Sequence, residues 1–251
     1  MSINDYKVGL FVPCEIDQFS PKTAWNALNL LESIGMETFY PTEITCSGME
    51  LYNQGAINSA KLLNEKMIEA YEDCTFVVSL SSANVAYAQL RFPMLFHNTT
   101  MHKEYRRFIE RFMDFSDFLV NIVHYKPTKA FPHRVAFMDN CQTINDYRSP
   151  SHPDQLGLKQ EPRELLRAVP ELELVEMAQN EICCGYGGLF ANHFTVISDQ
   201  LAQMKIDNAL KAGAKYIVST EMSCLLHLQS YAEKRNIGIG FAHLADIVNS
   251  E

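Results

Sequence analysis

Apolar residues follow two patterns along the chain. Short continuous runs, such as residues 7–13 and 75–80, alternate with segments in which apolar residues recur every three or four positions, as at Ala24, Leu28 and Leu31. The continuous runs are typical of strands buried on both faces, and the periodic segments are typical of amphipathic helices. Strands that alternate with helices predict βαβ units, mostly parallel sheets and an α/β fold.

Local signals predict where these elements begin and end. Ser20 and Pro21 form a helix start, with Ser20 as the N-cap, and Gly35 ends that helix. In the second half, Ser198 is predicted to cap a helix that runs through Ala212. Further strands are predicted at 37–41, 134–138, 171–177 and 215–220, and further helices at 57–72 and 162–169.

The chain contains an internal repeat. Three pairs of segments resemble each other in the same order, and the spacing between equivalent positions drifts slowly, as loop insertions would cause. The pairs are "YKVGLFVPC" (6–14) with "HRVAFMDNC" (133–141), "EITCSG" (43–48) with "EICCGY" (181–186), and "CTFVVSLSSANVAY" (74–87) with "AKYIVSTEMSCLLH" (214–227). The repeat predicts two duplicated βαβ-type modules related by a pseudo-twofold axis, with a boundary in the proline-containing stretch 124–133. We assign residues 1–128 to the first module and 129–251 to the second.

Composition narrows the possible functions. The 251 residues are 47% hydrophobic and carry a net charge of −9, which disfavours a sequence-independent nucleic-acid surface. No apolar run is long enough for a membrane span, and the first residues read as a strand and not as a signal peptide. Seven cysteines without a secretion signal predict reduced thiols and a cytoplasmic protein.

Most of the cysteines follow predicted strands. Cys141, Cys183, Cys184 and Cys224 come after the first, second, second and third strands of the second half. Because the carboxyl ends of parallel strands share one edge, these four thiols are predicted to converge. Four thiolates suit either zinc or an iron–sulfur cluster. The competing interpretation, that each is a small buried apolar residue, is preferred only for Cys74, which precedes a strand.

The sequence also suggests roles for several side chains other than the cysteines. His193, Asn140 and Gln142 are near enough to the cysteines in sequence to donate hydrogen bonds to the sulfur of a bound cluster. The spacing of Phe108, Phe112 and Phe115 predicts a helical core stripe, and the aromatic segment around it is a candidate partner-binding face.

These motifs resemble the cysteine-rich CCG-domain family over essentially the whole chain. The matching stretches are "PCEIDQF", "TCSGMELYNQG", "DNCQTIND", "PRELLRAVP", "CCGYGGLF" and "EMSCLL". The closest likeness is to the lactate utilization proteins of this family. The iron–sulfur subunit of glycolate oxidase and the cysteine-rich subunit of heterodisulfide reductase are more distant relatives. The resemblance implies two copies of a cluster-binding module.

The chain departs from the family pattern in its first module. Ser47 stands at the second cysteine of Cys-Cys-Gly, and Asn84 stands where a further cysteine is common, so that only Cys14 and Cys46 remain as a possible second-site remnant. We therefore expect no cluster there. In the second module Glu221 replaces one cysteine, which leaves four. By this resemblance, four cysteines suit a single [4Fe–4S] cluster, and Glu221 either approaches it or is a solvated loop carboxylate.

The resemblance implies an electron-transfer subunit of an oxidoreductase complex. Its implied task is oxidation of L-lactate to pyruvate together with companion iron–sulfur or flavin subunits, with Cys141, Cys183, Cys184 and Cys224 holding the cluster. No residue set for abstracting a proton or hydride is evident in the sequence. Two alternatives stay open: a zinc-binding or scaffold protein of the same fold, and a thiol–disulfide redox protein that uses Cys14 and Cys46.

Overall fold

A computed structural model describes residues 6–44, 46–152, 154, 156–157 and 160–249. The strands are β1 (Lys7–Phe11), β2 (Glu37–Phe39), β3 (Phe76–Ser79), β4 (Phe112–Asp114), β5 (Arg134–Phe137), β6 (Glu173–Val175), β7 (Tyr216–Ser219) and β8 (Gly240–His243). The helices are α1 (Cys14–Phe19), α2 (Pro21–Ser33), α3 (Met49–Asn53), α4 (Ile57–Ala70), α5 (Ser82–Phe96), α6 (His102–Ile109), α7 (Phe115–Asp117), α8 (Cys141–Asp146), α9 (Glu161–Ala168), α10 (Leu189–His193), α11 (Thr195–Lys211), α12 (Met222–Lys234) and α13 (Leu244–Val248), with a π-helix at Phe118–Val123.

The strands form two four-stranded parallel sheets of identical topology. Their orders are β2-β1-β3-β4 and β6-β5-β7-β8. Equivalent strands pair in equivalent registers: Val8 lies opposite Phe76 in the first sheet, and Val135 lies opposite Tyr216 in the second. The predicted α/β fold with two duplicated modules is therefore confirmed. The module boundary at residue 128 stays a prediction, although both sheets lie on their own sides of it.

Ser20 occupies the predicted N-cap position of α2, with Pro21 as the first helical residue, whereas the predicted cap at Ser198 is wrong. Ser20 precedes α2, but its side chain makes no capping hydrogen bond, and its hydroxyl instead lies 3.5 Å from the sulfur of Met222. Ser198 lies inside α11, which begins three residues earlier, and its hydroxyl donates to the Gly185 carbonyl at 2.8 Å. In both cases the serine hydroxyl, which was predicted to bond to the backbone at the start of a helix, instead contacts a residue distant in sequence.

The aromatic stripe is buried but is not one helix. Phe108 lies in the last turn of α6, Phe112 begins β4 and Phe115 begins α7, and all three rings are buried. The three- to four-residue spacing therefore came from a helix, a strand and a turn in succession. The fourth strand of each sheet, β4 and β8, was not predicted, because each is short and follows its helix closely.

The two modules share one hydrophobic core. Buried residues of both sheets and of helices α2, α9, α12 and α13 form a single cluster. Hydrogen bonds cross the interface as well: Thr23 and Asn26 donate to the two carboxylate oxygens of Asp246 at 2.9 and 2.8 Å, and His243 Nε2 lies 3.0 Å from the Leu80 carbonyl oxygen. No helix of the described part of the chain is long and apolar enough to cross a bilayer.

Candidate functional site

Three loops at the carboxyl edge of the second sheet carry the four predicted cysteines. Cys141 is the first residue of α8, directly after β5, and Asn140 caps that helix by accepting a hydrogen bond from the Thr143 N–H at 3.0 Å. Cys183 and Cys184 lie in the loop between β6 and α10. Cys224 lies in the first turn of α12, after β7. Because the strands are parallel, all three loops leave the sheet on the same side.

The structure brings these cysteines to one cavity of about 170 Å³. The Cys184 Sγ lies 2.8 Å from the Cys224 Sγ, and the Asn140 amide donates to the Cys224 sulfur at 3.6 Å. Cys141 and Cys183 line the same cavity beside this pair. Cys184 and Cys224 are buried, and Cys141 and Cys183 are half-buried. Asn140 thus donates to a cysteine sulfur of the site, and its expected hydrogen bond to cluster sulfur stays a prediction.

The thiols perturb one another's protonation. Hydrogen bonds donated by Cys141 and Cys184 lower the pKa of Cys183, and the Gly185 N–H adds to this effect. The same hydrogen bonds, together with burial, raise the pKa of Cys141 and of Cys184. These interactions favour the thiolate form of Cys183 and the neutral form of Cys141 and Cys184, and a bound metal ion would favour deprotonation of all three.

Gly185 makes the turn between the cysteine pair and α11 possible. Its φ of +93° lies in the region that favours glycine, and a Cβ there would stand 2.6 Å from the Ser198 carbonyl oxygen. The turn also directs the Gly185 N–H to the Cys183 sulfur at 3.4 Å. In the first module, Gly48 adopts φ +78° and its N–H lies 3.3 Å from the Cys46 sulfur.

A buried lysine stands behind the thiols. Lys205 of α11 is 1% exposed, and its ammonium donates to the backbone carbonyl of Asn180. Burial lowers the pKa of Lys205, and the charges of Cys184, Asp139 and Cys224 oppose that shift. It is the one buried lysine or arginine in the described part of the chain, and it supplies positive charge against the thiolates.

Carboxylates from the first module face the same cavity. Glu15 and Glu50 line it together with the second-module cysteines. A Cβ on Gly188 would stand 2.3 Å from a carboxylate oxygen of Glu50, so Gly188 leaves the room that this side chain fills. Burial, followed by the charge of Glu15, raises the pKa of Glu50. The thiol cavity is therefore completed by the other module.

Glu221 is not a solvated loop carboxylate. It is 3% exposed and accepts hydrogen bonds from the Ser81 hydroxyl at 2.7 Å and the Ser223 hydroxyl at 3.1 Å. Ser81 and Glu221 hold the N-cap positions of the equivalent helices α5 and α12, so this contact joins corresponding points of the two modules. Glu221 does not line the thiol cavity.

A larger open cavity of about 560 Å³ adjoins the thiol cavity. The two share Glu15, Glu50, Tyr186, Gly188 and Ser223, so the cysteines are reached from solvent through this opening. Among the described residues that line it, none is a lysine or arginine, whereas two are glutamates. Such an opening does not favour a carboxylate substrate such as a 2-hydroxy acid anion.

The equivalent positions of the first module also gather in one place. Cys14, Cys46, Ser47 and Asn84 line a cavity of only about 10 Å³, beside Glu15 and Glu50. Ser47 accepts from the Met49 N–H at 3.3 Å, and the Asn84 amide donates to the Ser81 hydroxyl at 2.8 Å. The first-module side chains are thus largely engaged with the protein itself.

Of the remaining residues singled out in the sequence, Cys74 matches its prediction and His193 lies outside the thiol cavity. Cys74 is a buried thiol packed in the aromatic core of the first module, as predicted. His193 is exposed and does not line the thiol cavity. Sequence reasoning missed Glu15, Glu50 and Lys205. Lys205 had a usable signal, because it stands among Ala202, Ile206 and Ala209 on the apolar face of α11.

The arrangement defines a duplicated α/β protein with one thiol-rich centre, and comparison with known proteins agrees. A family model described as the cysteine-rich domain, CCG, matches residues 8–83 and 135–229. The chain belongs to this cysteine-rich CCG-domain family.

The chain is also similar along its whole length to curated proteins. Lactate utilization protein A of Halalkalibacterium halodurans is 29% identical over 98% of this chain and 97% of its own. Lactate utilization protein A of Bacillus subtilis is 27% identical over 97% of this chain and 99% of its own.

Among solved structures, a hypothetical protein from Helicobacter pylori superposes with a TM-score of 0.67 at 9% identity. The match covers 97% of this chain and 48% of that protein, so this chain spans about half its length, and the likeness concerns the fold alone.

Proposed function

We propose that the protein is the iron–sulfur electron-transfer subunit of a lactate-oxidising system, with one [4Fe–4S] cluster in the second module. The observation that carries the proposal is the convergence of Cys141, Cys183, Cys184 and Cys224 on one cavity of about 170 Å³. The names of the full-length relatives support lactate utilization as the process.

The donor set fits an iron–sulfur cluster. Four cysteine thiolates are the ligands that a [4Fe–4S] cluster requires, and backbone and amide N–H groups stand ready to bond sulfur. No three Cys, His, Asp or Glu side chains of the described residues are already arranged to hold a single metal ion. Because the Cys184 and Cys224 sulfurs are 2.8 Å apart, binding requires these side chains to separate. When bound, such a cluster accepts and donates one electron at a time.

The chain's own residues would control that centre in three ways. The four thiolates anchor it, Lys205 supplies positive charge behind it, and Glu15 and Glu50 place negative charge at its exposed side. None of the described residues that line the opening is a lysine or arginine that could hold lactate, so oxidation of L-lactate to pyruvate would take place on a companion iron–sulfur or flavin subunit. This division fits a cytoplasmic complex in which the present chain relays electrons.

Metal analysis of protein purified without oxygen tests the proposal. We expect about four irons and four sulfides per chain, and a visible absorption that dithionite bleaches. Four thiolates also suit tetrahedral zinc, so one zinc per chain without sulfide would overturn the cluster and favour the structural alternative. Reconstitution with iron and sulfide distinguishes a lost cluster from a site that never binds one.

A further inference from the structure

The two thiols left in the first module lie at one small cavity. Cys14 opens α1 and Cys46 lies in the loop after β2, and both side chains line the same small cavity. The Cys14 sulfur lies 3.4 Å from a carboxylate oxygen of Glu15. Both cysteines are free and half-buried, which leaves them accessible to small reagents.

This pair is too confined to serve as a metal centre. The cavity beside it measures about 10 Å³, against about 170 Å³ in the second module. The two neighbouring positions offer a hydroxyl and an amide that already bond to the protein, at Ser47 and Asn84. Two adjacent thiols without further ligands favour covalent sulfur chemistry over ligation.

We propose that Cys14 and Cys46 form a second redox centre, a dithiol that is oxidised reversibly to a disulfide by exchange with a low-molecular-weight disulfide. This centre goes beyond the proposed electron-transfer function and does not depend on metal in the second module. Glu15 lines both cavities, so oxidation of the pair alters a carboxylate that also faces the cluster site.

The environment of each sulfur assigns its role. The hydrogen bond from Cys14 and the Gly48 N–H lower the pKa of Cys46 to about 6, which makes Cys46 the attacking thiolate. The hydrogen bond to Cys46, followed by burial, raises the pKa of Cys14. Cys14 is therefore the resolving thiol, and Glu15 is the nearby carboxylate that accepts its proton.

Oxidation of the Cys14–Cys46 dithiol takes place in two exchange steps. Cys46 attacks one sulfur of the disulfide RS–SR, the S–S bond breaks, and one RS⁻ leaves, which gives a mixed disulfide. Cys14 then loses its proton to Glu15 and attacks the Cys46 sulfur, and the second RS⁻ leaves as the intramolecular bond forms. The protein dithiol loses two electrons and two protons, and the small disulfide becomes two RSH.

Thiol mapping of the full chain tests this centre. Protein would be equilibrated in glutathione buffers of increasing oxidised fraction, quenched in acid, alkylated and digested for mass spectrometry. We expect a peptide pair joined through Cys14 and Cys46 that accumulates with oxidised glutathione and disappears with dithiothreitol. Cys74, which is buried in the core, should remain a free thiol throughout and serves as the internal control.

Single variants separate the two roles. Cys14→Ser should stop at a glutathione adduct on Cys46, whereas Cys46→Ser should leave Cys14 unmodified over the same time. Glu15→Gln should slow the second step, so that the mixed disulfide accumulates at least several-fold over wild type. A wild-type protein that keeps both thiols free at every buffer ratio, or retains only a mixed disulfide, would overturn the proposal. So would oxidation confined to the Cys184–Cys224 pair.

Discussion

The two modules have equivalent backbone turns at their cysteine sites, but the side chains and the cavities at these sites differ. Cys14 and Cys141 open equivalent helices, and in both modules a left-handed glycine directs its N–H to the sulfur two residues earlier, at 3.3 Å in the first and 3.4 Å in the second. The first cavity measures about 10 Å³ and the second about 170 Å³. The first module therefore shows that this sheet topology does not require four cysteines at the ends of its strands, and that the chemistry depends on the side chains placed on a common backbone.

The difference between the modules can be tested by making the second resemble the first. Cys184→Ser turns Cys-Cys-Gly into the Cys-Ser-Gly of the first module. We expect the iron content to fall from about four atoms per chain to fewer than one, because a [4Fe–4S] cluster needs all four thiolates. Far-ultraviolet circular dichroism and metal analysis check this outcome.

The matched control for that change is Ser47→Ala, at the equivalent position of the first module. It should leave the iron content unaltered, because Ser47 does not line the thiol cavity and its hydroxyl accepts a hydrogen bond from the Met49 N–H of the first module. A Cys184→Ser protein that keeps a full complement of iron would mean that another side chain, such as Glu50, ligates the cluster.

The glycines of the two turns differ in how tightly a helix packs on them. Gly185→Ala places a Cβ 2.6 Å from the Ser198 carbonyl oxygen, whereas Gly48→Ala places one 3.1 Å from the Ala60 carbonyl oxygen. Both changes strain a positive φ, but only the first adds a severe backbone clash. We expect losses in the free energy of unfolding of about 3 kcal/mol for Gly185→Ala and about 1 kcal/mol for Gly48→Ala. Denaturant titration of the metal-free proteins measures both, and equal losses would contradict the comparison.

Sequence patterns predicted the buried strands and the meeting of the cysteine loops, because both depend on local hydrophobicity and on a general property of parallel sheets. They failed where a side chain serves a distant partner. Ser198 resembles a cap but bonds to Gly185, and Glu221 resembles a loop carboxylate but bonds to Ser81 of the other module. The contribution of Glu50 to the thiol cavity depends on how two modules pack, which no local pattern records.

Burial of Glu221 where the two modules meet makes the stability of the protein depend on pH. Burial is the largest cause that raises the pKa of Glu221 to about 7, from an ordinary value of 4.5. The folded state therefore binds the Glu221 proton more tightly than the unfolded state does. The stability gained from this proton is fully present below pH 4.5 and is lost as the pH rises through about 7. Glu221→Gln keeps a neutral polar group there, and we expect it to stabilise the protein by on the order of 2 kcal/mol at pH 8.

The same substitution should change the stability little near pH 5, where the wild-type carboxyl is already protonated in the folded protein. Glu221→Ala, which removes the hydrogen bonds, should destabilise at both pH values. If Glu221→Gln shifted the unfolding free energy equally at pH 5 and pH 8, Glu221 would not be the titrating group.

The smallest expected effect is a shift in reduction potential caused by the positive charge of Lys205, which has no counterpart at the equivalent position of the first module. Gly48 packs against the backbone of Ala60, and Gly185 packs in the same way against the backbone of Ser198. Met67 and Lys205 each lie seven residues after these helix residues, so they occupy equivalent positions in the two modules. The first module thus has an apolar side chain where the second has a buried ammonium that contacts Asn180. A positive charge near a cluster favours its reduced form, because reduction adds negative charge.

Lys205→Met copies the first module at this position and retains a side chain of similar length. We expect the reduction potential of the cluster to become more negative by about 40 mV, which corresponds to about 1 kcal/mol for one electron. Lys211→Met removes the same charge from an exposed position of the same helix, where solvent screens it, and should leave the potential nearly unchanged. Potentiometric titration followed by visible absorption compares the three proteins. Equal shifts for the two variants would reduce the effect to net charge, whereas a shift confined to Lys205→Met would show that the second module differs from the first in the field around its sulfurs as well as in their number.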